Sequence, residues 1–362
     1  MTKLRLASVF SGIGAIEHSL QRMKIPTEIV FACDIDKYCK QSFFANYDID
    51  ETKWFNDIKE IKGKKFKGKV DLLVGGSPCQ SFSMVGGRKG LEDPRGLLIY
   101  EFVRLVNQIQ PKVFIYENVK GLLNHGQSET WRKLKGTLDR TKYNIYFKVL
   151  NAKNYGIPQN RERLFVIGFK KERKFEFPNP IELKLTMQDF LEDNPKSKYF
   201  LPEKGIAFVT KEKNLKKCYT QINGKIALCQ KRNQQFNWHG DFIMEFPKNS
   251  VDKKYFLSDK VKKYVTSSGT KNFYSKPETD LKVARPLLAT MVKMHRAGID
   301  NYITKGGKIR KLTPRECLRL MGFDDRFKIV VSDTQAYKQA GNAIVVDVLI
   351  NLLKAMDIEM YA

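Results

Sequence analysis

The feature that most constrains the fold is a repeated alternation of short apolar runs with amphipathic stretches over about the first 170 residues. Two segments carry the apolar spacing of helices: one begins at Ala15 and the other covers 97–109. Five apolar runs have the length and composition of buried strands: 4–10, 28–32, 70–74, 113–116 and 164–168. Strands that alternate with helices favour a mostly parallel sheet covered by helices, so we predict an α/β fold.

From about residue 170 this periodicity weakens, and residues 171–300 combine many Lys, Asn, Tyr and Phe with scattered Pro and Gly. This composition predicts a separate lobe of short strands and loops. A helix is predicted to begin within Thr313–Glu316, because a capping threonine is followed by a proline and then, three residues after the cap, by a glutamate. A last apolar helix is predicted over 345–356.

The charge balance indicates a polyanionic partner. The chain has 65 Lys and Arg against 39 Asp and Glu, a net charge of +26. Residues 171–310 hold 29 basic and 15 acidic side chains, or +14, which leaves +12 for the other 222 residues. Nucleic acid is the obvious partner for such an excess. The alternative is a lysine-rich composition that only keeps the surface soluble.

Composition also argues against several classes of protein. The sequence has no apolar run of membrane-spanning length, and its N-terminus lacks the apolar stretch of a signal peptide. We therefore expect a soluble, intracellular protein. None of the six cysteines forms a Cys-x-x-Cys pair and the four histidines are scattered, so we expect free thiols and no structural zinc site.

The segment Phe10–Gly14 follows a predicted strand and opens a predicted helix. Its glycines let the backbone turn sharply and pass close to a ligand. Asp34, at the end of the next strand, could accept a hydrogen bond from a ribose. Together these features indicate an adenosine-type cofactor, whereas a lone Gly-x-Gly also occurs in ordinary strand-to-helix turns.

The segment 75–83 carries the strongest local signal, because a buried strand ends in two glycines and a proline fixes the backbone just before Cys79. A thiol on a polar, glycine-rich loop can become a thiolate nucleophile. An isolated cysteine is more often an inert apolar residue. The glycine-rich residues 84–96 are typical of a mobile loop that closes over a substrate.

Polar side chains also occur at two later strand ends. Glu117 could exchange a hydrogen bond with a ring nitrogen if burial raises its pKa, and a solvated glutamate is the default interpretation. Arg161 and Arg163 lie two residues apart on predicted extended backbone, so their side chains should point the same way. They could grip a carbonyl oxygen, a phosphate or Glu117, or they could be ordinary surface arginines.

In order, spacing and identity, these motifs resemble those of the cytosine-5 DNA methyltransferase family, above all its compact bacterial restriction–modification enzymes. The matching segments are Phe10–Gly14, 77–83, 117–119, 159–163, 310–316, 321–323 and 339–343. Ser77 stands where many members carry a second proline or an aromatic residue, and we expect it to touch no atom that the chemistry needs. Residues 171–305 do not match motif by motif, and in this family that stretch recognises the target sequence.

The resemblance implies a Rossmann-like domain that binds S-adenosylmethionine (1–175), a smaller target-recognition domain (176–305) and a hinge helix with a C-terminal helix (306–362). It implies methyl transfer to C5 of a cytosine flipped out of double-stranded DNA, through a covalent bond between Cys79 and C6 of that cytosine. The implied catalytic residues are Cys79, Glu117, Arg161 and Arg163. The implied cofactor-binding residues are Phe10, Gly12, Gly14, Asp34, Asp57, Pro78, Leu98 and Asn342. The implied DNA contacts are Gln80, Ser83, Arg95 and Thr290.

The same resemblance implies a monomer of the bacterial cytoplasm, associated with the nucleoid through DNA, without a metal and without a membrane partner. Three alternatives stay open: an RNA cytosine-5 methyltransferase, an inactive DNA-binding regulator and a nicotinamide-dependent dehydrogenase. The large variable lobe favours duplex DNA over RNA. The presence of Cys79, Glu117 and Arg163 argues against an inactive regulator. A dehydrogenase would leave the proline–cysteine segment and the charge unexplained.

Overall fold

The structure of the chain is a computed structural model. It describes residues 2–78, 98–124, 129–193, 195–196, 199, 201, 203–216, 220–223, 240–245, 278–279, 281–287, 302–305 and 308–362. Its strands are β1 Leu4–Val9, β2 Thr27–Cys33, β3 Trp54–Phe55, β4 Leu72–Gly75, β5 Val113–Val119, β6 Asn144–Asn151, β7 Glu162–Phe169, β8 Thr220–Asn223, β9 Gly240–Glu245, β10 Glu278–Thr279, β11 Tyr302–Lys305 and β12 Lys308–Lys311.

Its α-helices are α1 Ala15–Arg22, α2 Lys37–Asn46, α3 Leu98–Ile109, α4 Glu129–Asp139, α5 Glu203–Val209, α6 Glu212–Lys216, α7 Pro314–Arg319, α8 Asp333–Asn342 and α9 Val346–Ala355. Two compact units are present. The first comprises Met1–Asn151, Glu162–Asn179 and Ile344–Ala362, and the second comprises Ala152–Arg161 and Pro180–Ala343.

The first unit is built on a seven-stranded sheet with the order β3-β2-β1-β4-β5-β7-β6. The strands β3, β2, β1, β4 and β5 are parallel to their neighbours, whereas β7 runs antiparallel to both β5 and β6. The predicted α/β class with a mostly parallel sheet is therefore confirmed. Because parallel strands share one direction, the ends of β1, β2, β4 and β5 that carry the polar motifs lie at one edge.

The core of this unit lies between the sheet and its helices. Leu73 of β4 and Phe114 of β5 are completely buried, and Phe102 and Val106 present the apolar face of α3 to them. Burying each such side chain stabilises the fold by roughly 1.5–3 kcal/mol. The core thus fixes the height of β4 and β5 relative to each other, and with it the residues at their ends.

The C-terminal helix α9 packs in the first unit against α1. The Ser19 hydroxyl oxygen lies 2.7 Å from the Ala15 carbonyl oxygen in its own helix and 3.3 Å from the Val346 carbonyl oxygen. Arg22 and Asp347 form a two-pronged ion pair, with N···O distances of 2.7 and 3.0 Å. The last helix of the chain therefore supports the helix that follows the first glycine motif.

The second unit contains a five-stranded sheet with the order β10-β8-β9-β11-β12. Its helix α7 has the predicted capping box: the Glu316 amide donates to the Thr313 hydroxyl at 3.2 Å, and the Thr313 amide donates to the Glu316 carboxylate at 2.7 Å. Tyr337 of α8 is fully buried and donates to the Leu312 carbonyl oxygen at 2.6 Å. These bonds hold the start of α7 against α8.

Candidate active site

The loop Phe10–Gly14 after β1 turns through three residues with positive φ: Phe10 at 53°, Gly12 at 55° and Gly14 at 80°. At Gly14 a β-carbon would lie 2.1 Å from the ring of Tyr47, whose hydroxyl donates to the Gly14 carbonyl oxygen at 2.7 Å. Only glycine therefore fits there. At Gly12 a β-carbon would meet nothing within 4 Å, so open space lies in front of the loop.

Asp34, at the end of β2, organises this loop. Its Oδ2 atom accepts a hydrogen bond from the Gly12 amide at 2.8 Å, and its Oδ1 atom accepts one from the Asp36 amide at 2.9 Å. Burial raises the pKa of Asp34, and the two amide bonds act in the opposite direction. Each carboxylate oxygen keeps a second lone pair, so Asp34 can hold the loop and still accept from a ligand hydroxyl.

The other expected cofactor residues occupy different elements. Asp57 caps a single helical turn by accepting from the Lys59 amide at 2.9 Å. Pro78 is partly exposed, and Leu98, at the start of α3, packs partly buried against the core. Asn342 is exposed at the last position of α8, within the second unit.

Ile35 is a residue of this edge that the sequence analysis missed. It lies between Asp34 and Asp36, and 81% of its surface is exposed, the highest value among the large exposed apolar side chains described. An apolar side chain between two hydrogen-bonding carboxylates suits a ligand with a flat apolar face and polar rims. The only sequence signal was the isolated isoleucine in an otherwise polar strand-to-helix turn.

Glu117 of β5 and Arg163 of β7 form an ion pair, with 3.2 Å between Arg163 Nε and Glu117 Oε1. In the antiparallel register Glu117 lies opposite Phe165, so Arg163 is its diagonal neighbour on the same face. The side chains are 12% and 17% exposed, so water screens the pair only in part. The predicted contact between Arg163 and Glu117 is present.

Gly76 makes room for this carboxylate. A β-carbon at residue 76 would lie 2.9 Å from Glu117 Oε2 and 3.3 Å from the Glu117 carbonyl oxygen. Because such approaches are shorter than ordinary van der Waals contact, any larger residue at position 76 would displace the Glu117 side chain. The second glycine of the motif therefore shapes the site itself in addition to the turn.

Ser77 has contacts that the sequence analysis did not anticipate. Its side chain is buried, and its Oγ atom lies 2.5 Å from the Tyr116 hydroxyl oxygen. Asn118 donates from Nδ2 to Tyr116 at 2.7 Å and to Ser77 Oγ at 3.2 Å. Tyr116 and Asn118 flank Glu117 in sequence, so this buried network locks the residues on either side of it to the end of β4.

Arg161 has different partners from Arg163, because β7 begins at Glu162 and Arg161 precedes the strand. The expectation that both side chains point the same way from extended backbone is therefore not met. Arg161 is buried in the second unit, where its Nη2 atom donates to the carbonyl oxygens of Gly341 and Ala343, each at 3.0 Å. These two carbonyl groups lie immediately before and after Asn342.

Gln159 belongs to the same motif and is completely buried in the second unit. Its Nε2 atom donates to the Leu320 carbonyl oxygen at 2.9 Å, and its Oε1 atom accepts from the Leu287 amide at 3.3 Å. Gln159 thus joins the end of α7 to the segment 281–287. In the motif Gln-x-Arg-x-Arg, Gln159 therefore has a structural role, Arg161 binds the backbone at the end of α8, and Arg163 pairs with Glu117.

Several predicted residues lie outside the described residues: Cys79, Gln80, Ser83, Arg95 and Thr290. The described residues are interrupted after Pro78, and Gly76, two residues earlier, lies beside Glu117. Within the described ranges, no three His, Cys, Asp or Glu side chains come together as a metal-binding group. In the same part of the chain, no helix is long and apolar enough to cross a membrane.

Comparison with known proteins gives a consistent result over nearly the whole chain. The family model described as C-5 cytosine-specific DNA methylase matches residues 4–357. The orphan methyltransferase M.SPRI of Bacillus phage SPR is 31% identical over 98% of this chain and 98% of its own length. The Type II methyltransferase M.HhaI of Haemophilus parahaemolyticus is 30% identical over 96% of this chain and 93% of its own length.

Solved structures with the same fold cover both units. The Entamoeba histolytica methyltransferase EhMeth superimposes with a TM-score of 0.66 at 18% identity, covering 99% of each chain. The S. pombe Dnmt2 methyltransferase gives a TM-score of 0.65 at 19% identity, covering 98% of this chain and all of its own. At these identities the likeness establishes the fold alone.

Proposed function

This chain belongs to the C-5 cytosine-specific DNA methylases, and from that membership we propose its mechanism: methyl transfer to a flipped-out cytosine through a bond between Cys79 and C6. The observation that carries the proposal is the placement of Glu117. It lies at the ligand edge of the sheet, paired with Arg163 at 3.2 Å, and Gly76 leaves its carboxylate room beside the start of the Cys79 loop.

The covalent step solves a problem of reactivity. C5 of cytosine is a poor nucleophile, and addition of the Cys79 thiolate to C6 converts the ring to an enamine whose C5 carries electron density. C5 then takes the methyl group. A base removes the proton that C5 still carries, and the electrons of that C–H bond re-form the C5–C6 double bond as the thiolate departs. The thiol is thereby regenerated.

Glu117 acts on the N3 and exocyclic-amine edge of the base. Addition of the thiolate to C6 puts negative charge on the ring, which is relieved when N3 takes up a proton from solvent. The Glu117 carboxylate would then accept hydrogen bonds from N3–H and from the exocyclic amine. Arg163 fixes the orientation of Glu117 through its Nε atom, and its Nη1 atom donates to the Glu162 carbonyl oxygen at 2.7 Å. Its Nη2 atom would then meet the base carbonyl oxygen. A guanidinium suits both tasks, because its planar fork holds several acceptors at once.

The chemistry requires the cytosine to leave the stacked duplex, at a cost of a few kcal/mol. We propose that Gln80, Ser83, Arg95 and Thr290 supply compensating contacts to DNA around the displaced base. Residues 176–305 would form the target-recognition region between the catalytic residues 1–175 and the C-terminal part 306–362. The basic excess of that stretch suits contacts to phosphates.

The residues at the sheet edge fit S-adenosylmethionine. The space before Gly12, the exposed Ile35 and the acceptors of Asp34 and Asp57 would line a cofactor site of mixed polarity. Phe10, Gly14, Pro78 and Leu98 would complete it. The cofactor, when bound, supplies an electrophilic methyl group on a sulfonium.

Arg161 would act on Asn342, which the family resemblance implies as a cofactor-binding residue. Arg161 donates to the carbonyl groups on both sides of Asn342, which restrains the backbone at the end of α8. We therefore assign Arg161 a positioning role toward Asn342, in place of the direct contact with the base that the sequence suggested. Asn342 itself is exposed and able to meet a ligand.

For the cellular setting we propose a monomer of the bacterial cytoplasm that modifies DNA in a restriction–modification system. Two of the relatives support this setting, since M.HhaI and M.SsoII of Shigella sonnei are named Type II methyltransferases. Bisulfite sequencing of DNA from cells that express the chain would give the recognition sequence. Protection of that sequence from a restriction enzyme would test the setting.

The decisive experiment uses duplex DNA that carries 5-fluorocytosine at the target site. After methyl transfer the C5–F bond cannot release a proton, so the thiolate cannot depart and the enzyme stays attached. We expect an adduct stable to denaturation whose peptide maps to Cys79, and none with Cys79→Ala. Cys229→Ala is the matched control and should form the adduct normally. An active enzyme that leaves no adduct at Cys79 would contradict the mechanism.

A further inference from the structure

Residues 59–69, called the lysine segment below, form a concentrated positive surface outside the candidate site. Eleven residues contain six lysines and one glutamate, or +5 of the total charge of +26. All six lysines are exposed: Lys59, Lys62, Lys64, Lys65, Lys67 and Lys69. Neither the catalytic residues nor the target-recognition region accounts for this surface.

The backbone of the lysine segment is fixed. The Gly63 amide donates to Gln108 Oε1 at 3.0 Å, and the Gly68 carbonyl oxygen accepts from Arg5 Nη1 at 2.9 Å. The ring of Phe66 packs against Phe31, with 4.7 Å between centroids. A flexible tail could spread its charges apart, whereas this segment must present its ammonium groups together.

The charges of the lysine segment are not neutralised by neighbouring side chains. Elsewhere in the first unit, five exposed or half-exposed lysines have carboxylate partners at 2.6–3.4 Å: Lys40, Lys53, Lys120, Lys133 and Lys135. By contrast, no carboxylate of the described residues lies within ion-pair distance of the six ammonium groups of the lysine segment. Grouping like charges in this way is unfavourable unless an external anion neutralises them.

Residues 62–69 of the lysine segment lie at the edge of the sheet opposite the candidate site, whereas the Lys59 amide donates to Asp57 of that site. The lysine segment leads through Val70 and Asp71 into the first residue of β4, whereas Gly76–Pro78 follow the last residue of that strand. The Gly68 amide also donates to the carbonyl oxygen of Ile109, at the far end of α3 from Leu98. The two surfaces therefore lie at opposite ends of the same strands, and a duplex at the catalytic edge leaves the lysine segment open to other DNA.

We propose that the lysine segment is a second, sequence-independent binding surface for the phosphate backbone of duplex DNA. A duplex carries one negative charge per ~1.7 Å of its axis, and lysines that contact phosphates release condensed counterions. A distant stretch of DNA held there would keep the enzyme attached after the catalytic edge has released its site. This inference assumes only that the chain acts on DNA, and it does not depend on the covalent mechanism.

The test compares two quadruple variants that change the net charge equally. The first replaces Lys62, Lys64, Lys65 and Lys67 by Gln, and the matched control replaces Lys40, Lys53, Lys133 and Lys135, which have carboxylate partners, by Gln. Affinity for a duplex without a recognition site is measured against salt concentration. For the first variant, the slope of log K against log salt should fall by about 3 to 4, because each phosphate that a lysine neutralises contributes ~0.9 to that slope. The control should change it by less than 1.

A second measurement asks whether one enzyme molecule joins two duplexes. Beads that carry one duplex should capture a labelled second duplex with the wild type and the control, and at least fivefold less with the first variant. Single-turnover methylation of a short duplex should stay within twofold for all three. Equal losses in both variants, unchanged capture by the first variant, or tighter binding to phosphatidylglycerol vesicles than to DNA would overturn the proposal. A wild type that bridges DNA without methylating it would count against the proposed function only.

Discussion

The side-chain oxygen of Ser77 lies 2.5 Å from the hydroxyl oxygen of Tyr116, and both residues are almost completely buried. One follows β4 by two residues and the other lies in the middle of β5. This hydroxyl–hydroxyl bond between neighbouring segments of the sheet sets their relative height. The two residues that this bond places side by side are Gly76 and Glu117.

Removing either hydroxyl should lower both stability and activity, because the remaining hydroxyl stays buried and loses this hydrogen bond. We expect Ser77→Ala and Tyr116→Phe each to lower the free energy of unfolding by about 1–2 kcal/mol. The double variant should lose less than the sum of the two, with a coupling energy of about 1 kcal/mol. Urea unfolding of the four proteins measures this cycle, and additive losses would mean that the bond contributes nothing.

Gly76→Ala should lower the activity of the enzyme without lowering the stability of the fold. The new methyl group would meet the flexible end of the Glu117 side chain at 2.9 Å, so the carboxylate should move while the fold survives. We expect kcat to fall on the order of 100-fold, since small displacements of a catalytic group have large effects. The control is Gly136→Ala in α4, where a β-carbon meets nothing within 4 Å and activity should be unchanged. Equal kcat values in both variants would contradict the role of Gly76.

Arg163→Lys should impair the enzyme even though the charge is kept. A lysine cannot orient Glu117 and reach a base carbonyl oxygen together, so kcat/KM should fall by roughly 10- to 100-fold. The neighbouring pair between Lys120 and Glu162 is half exposed, and Lys120→Gln should change kcat/KM by less than twofold. Steady-state methylation of a duplex substrate compares the two. An Arg163→Lys enzyme with normal kinetics would exclude the proposal that Arg163 binds Glu117 and the base carbonyl oxygen at the same time.

Arg161→Lys should act on the cofactor rather than on DNA. Both bonds to the carbonyl groups beside Asn342 come from Nη2, the far end of the side chain, which the shorter lysine does not reach, and their loss frees the end of α8. We expect the Kd for S-adenosylmethionine to rise about tenfold, with the affinity for DNA unchanged. Calorimetric titration with cofactor and a filter-binding assay with duplex distinguish the two ligands. If DNA affinity fell and cofactor affinity stayed constant, the assignment would be wrong.

Glu17 should make stability depend on pH. It is buried in α1, and its Oε1 atom accepts from the Ser8 hydroxyl at 2.6 Å. Burial raises its pKa from 4.5 to about 7, so the folded state retains a proton that the unfolded state has already released. This stabilisation is complete below pH 4.5 and is lost as the pH rises through 7, by up to about 3 kcal/mol.

Glu17→Gln keeps the shape of the side chain and removes its titration. Compared with the wild type, the variant should gain stability at pH 8.5 and show little difference at pH 5. Chemical unfolding at the two pH values measures the gain. Curves for wild type and variant that stay parallel across this range would show that Glu17 does not titrate near neutral pH.

The local sequence was sufficient where one segment by itself sets the structure. The predicted strands at 4–10 and 113–116 correspond to Leu4–Val9 and Val113–Val119 in the structure, because short, largely apolar runs suit the covered middle of a sheet. The start of α7 was equally predictable, since its capping box involves residues three positions apart. By contrast, β6 was missed. It is an edge strand whose residues are mostly exposed or half-buried, so it lacks a strong apolar pattern.

The amino-acid sequence alone specifies the reactive side chains and their order: Cys79 after a proline, Glu117 at a strand end, Arg163 at the start of another strand. The folded chain establishes which of these side chains meet. Arg161 and Arg163 are two residues apart, yet one bonds to Gly341 and the other to Glu117. The tertiary fold sets such partnerships, because it brings together residues that are far apart in the chain: Arg161 and Gly341 are 180 positions apart.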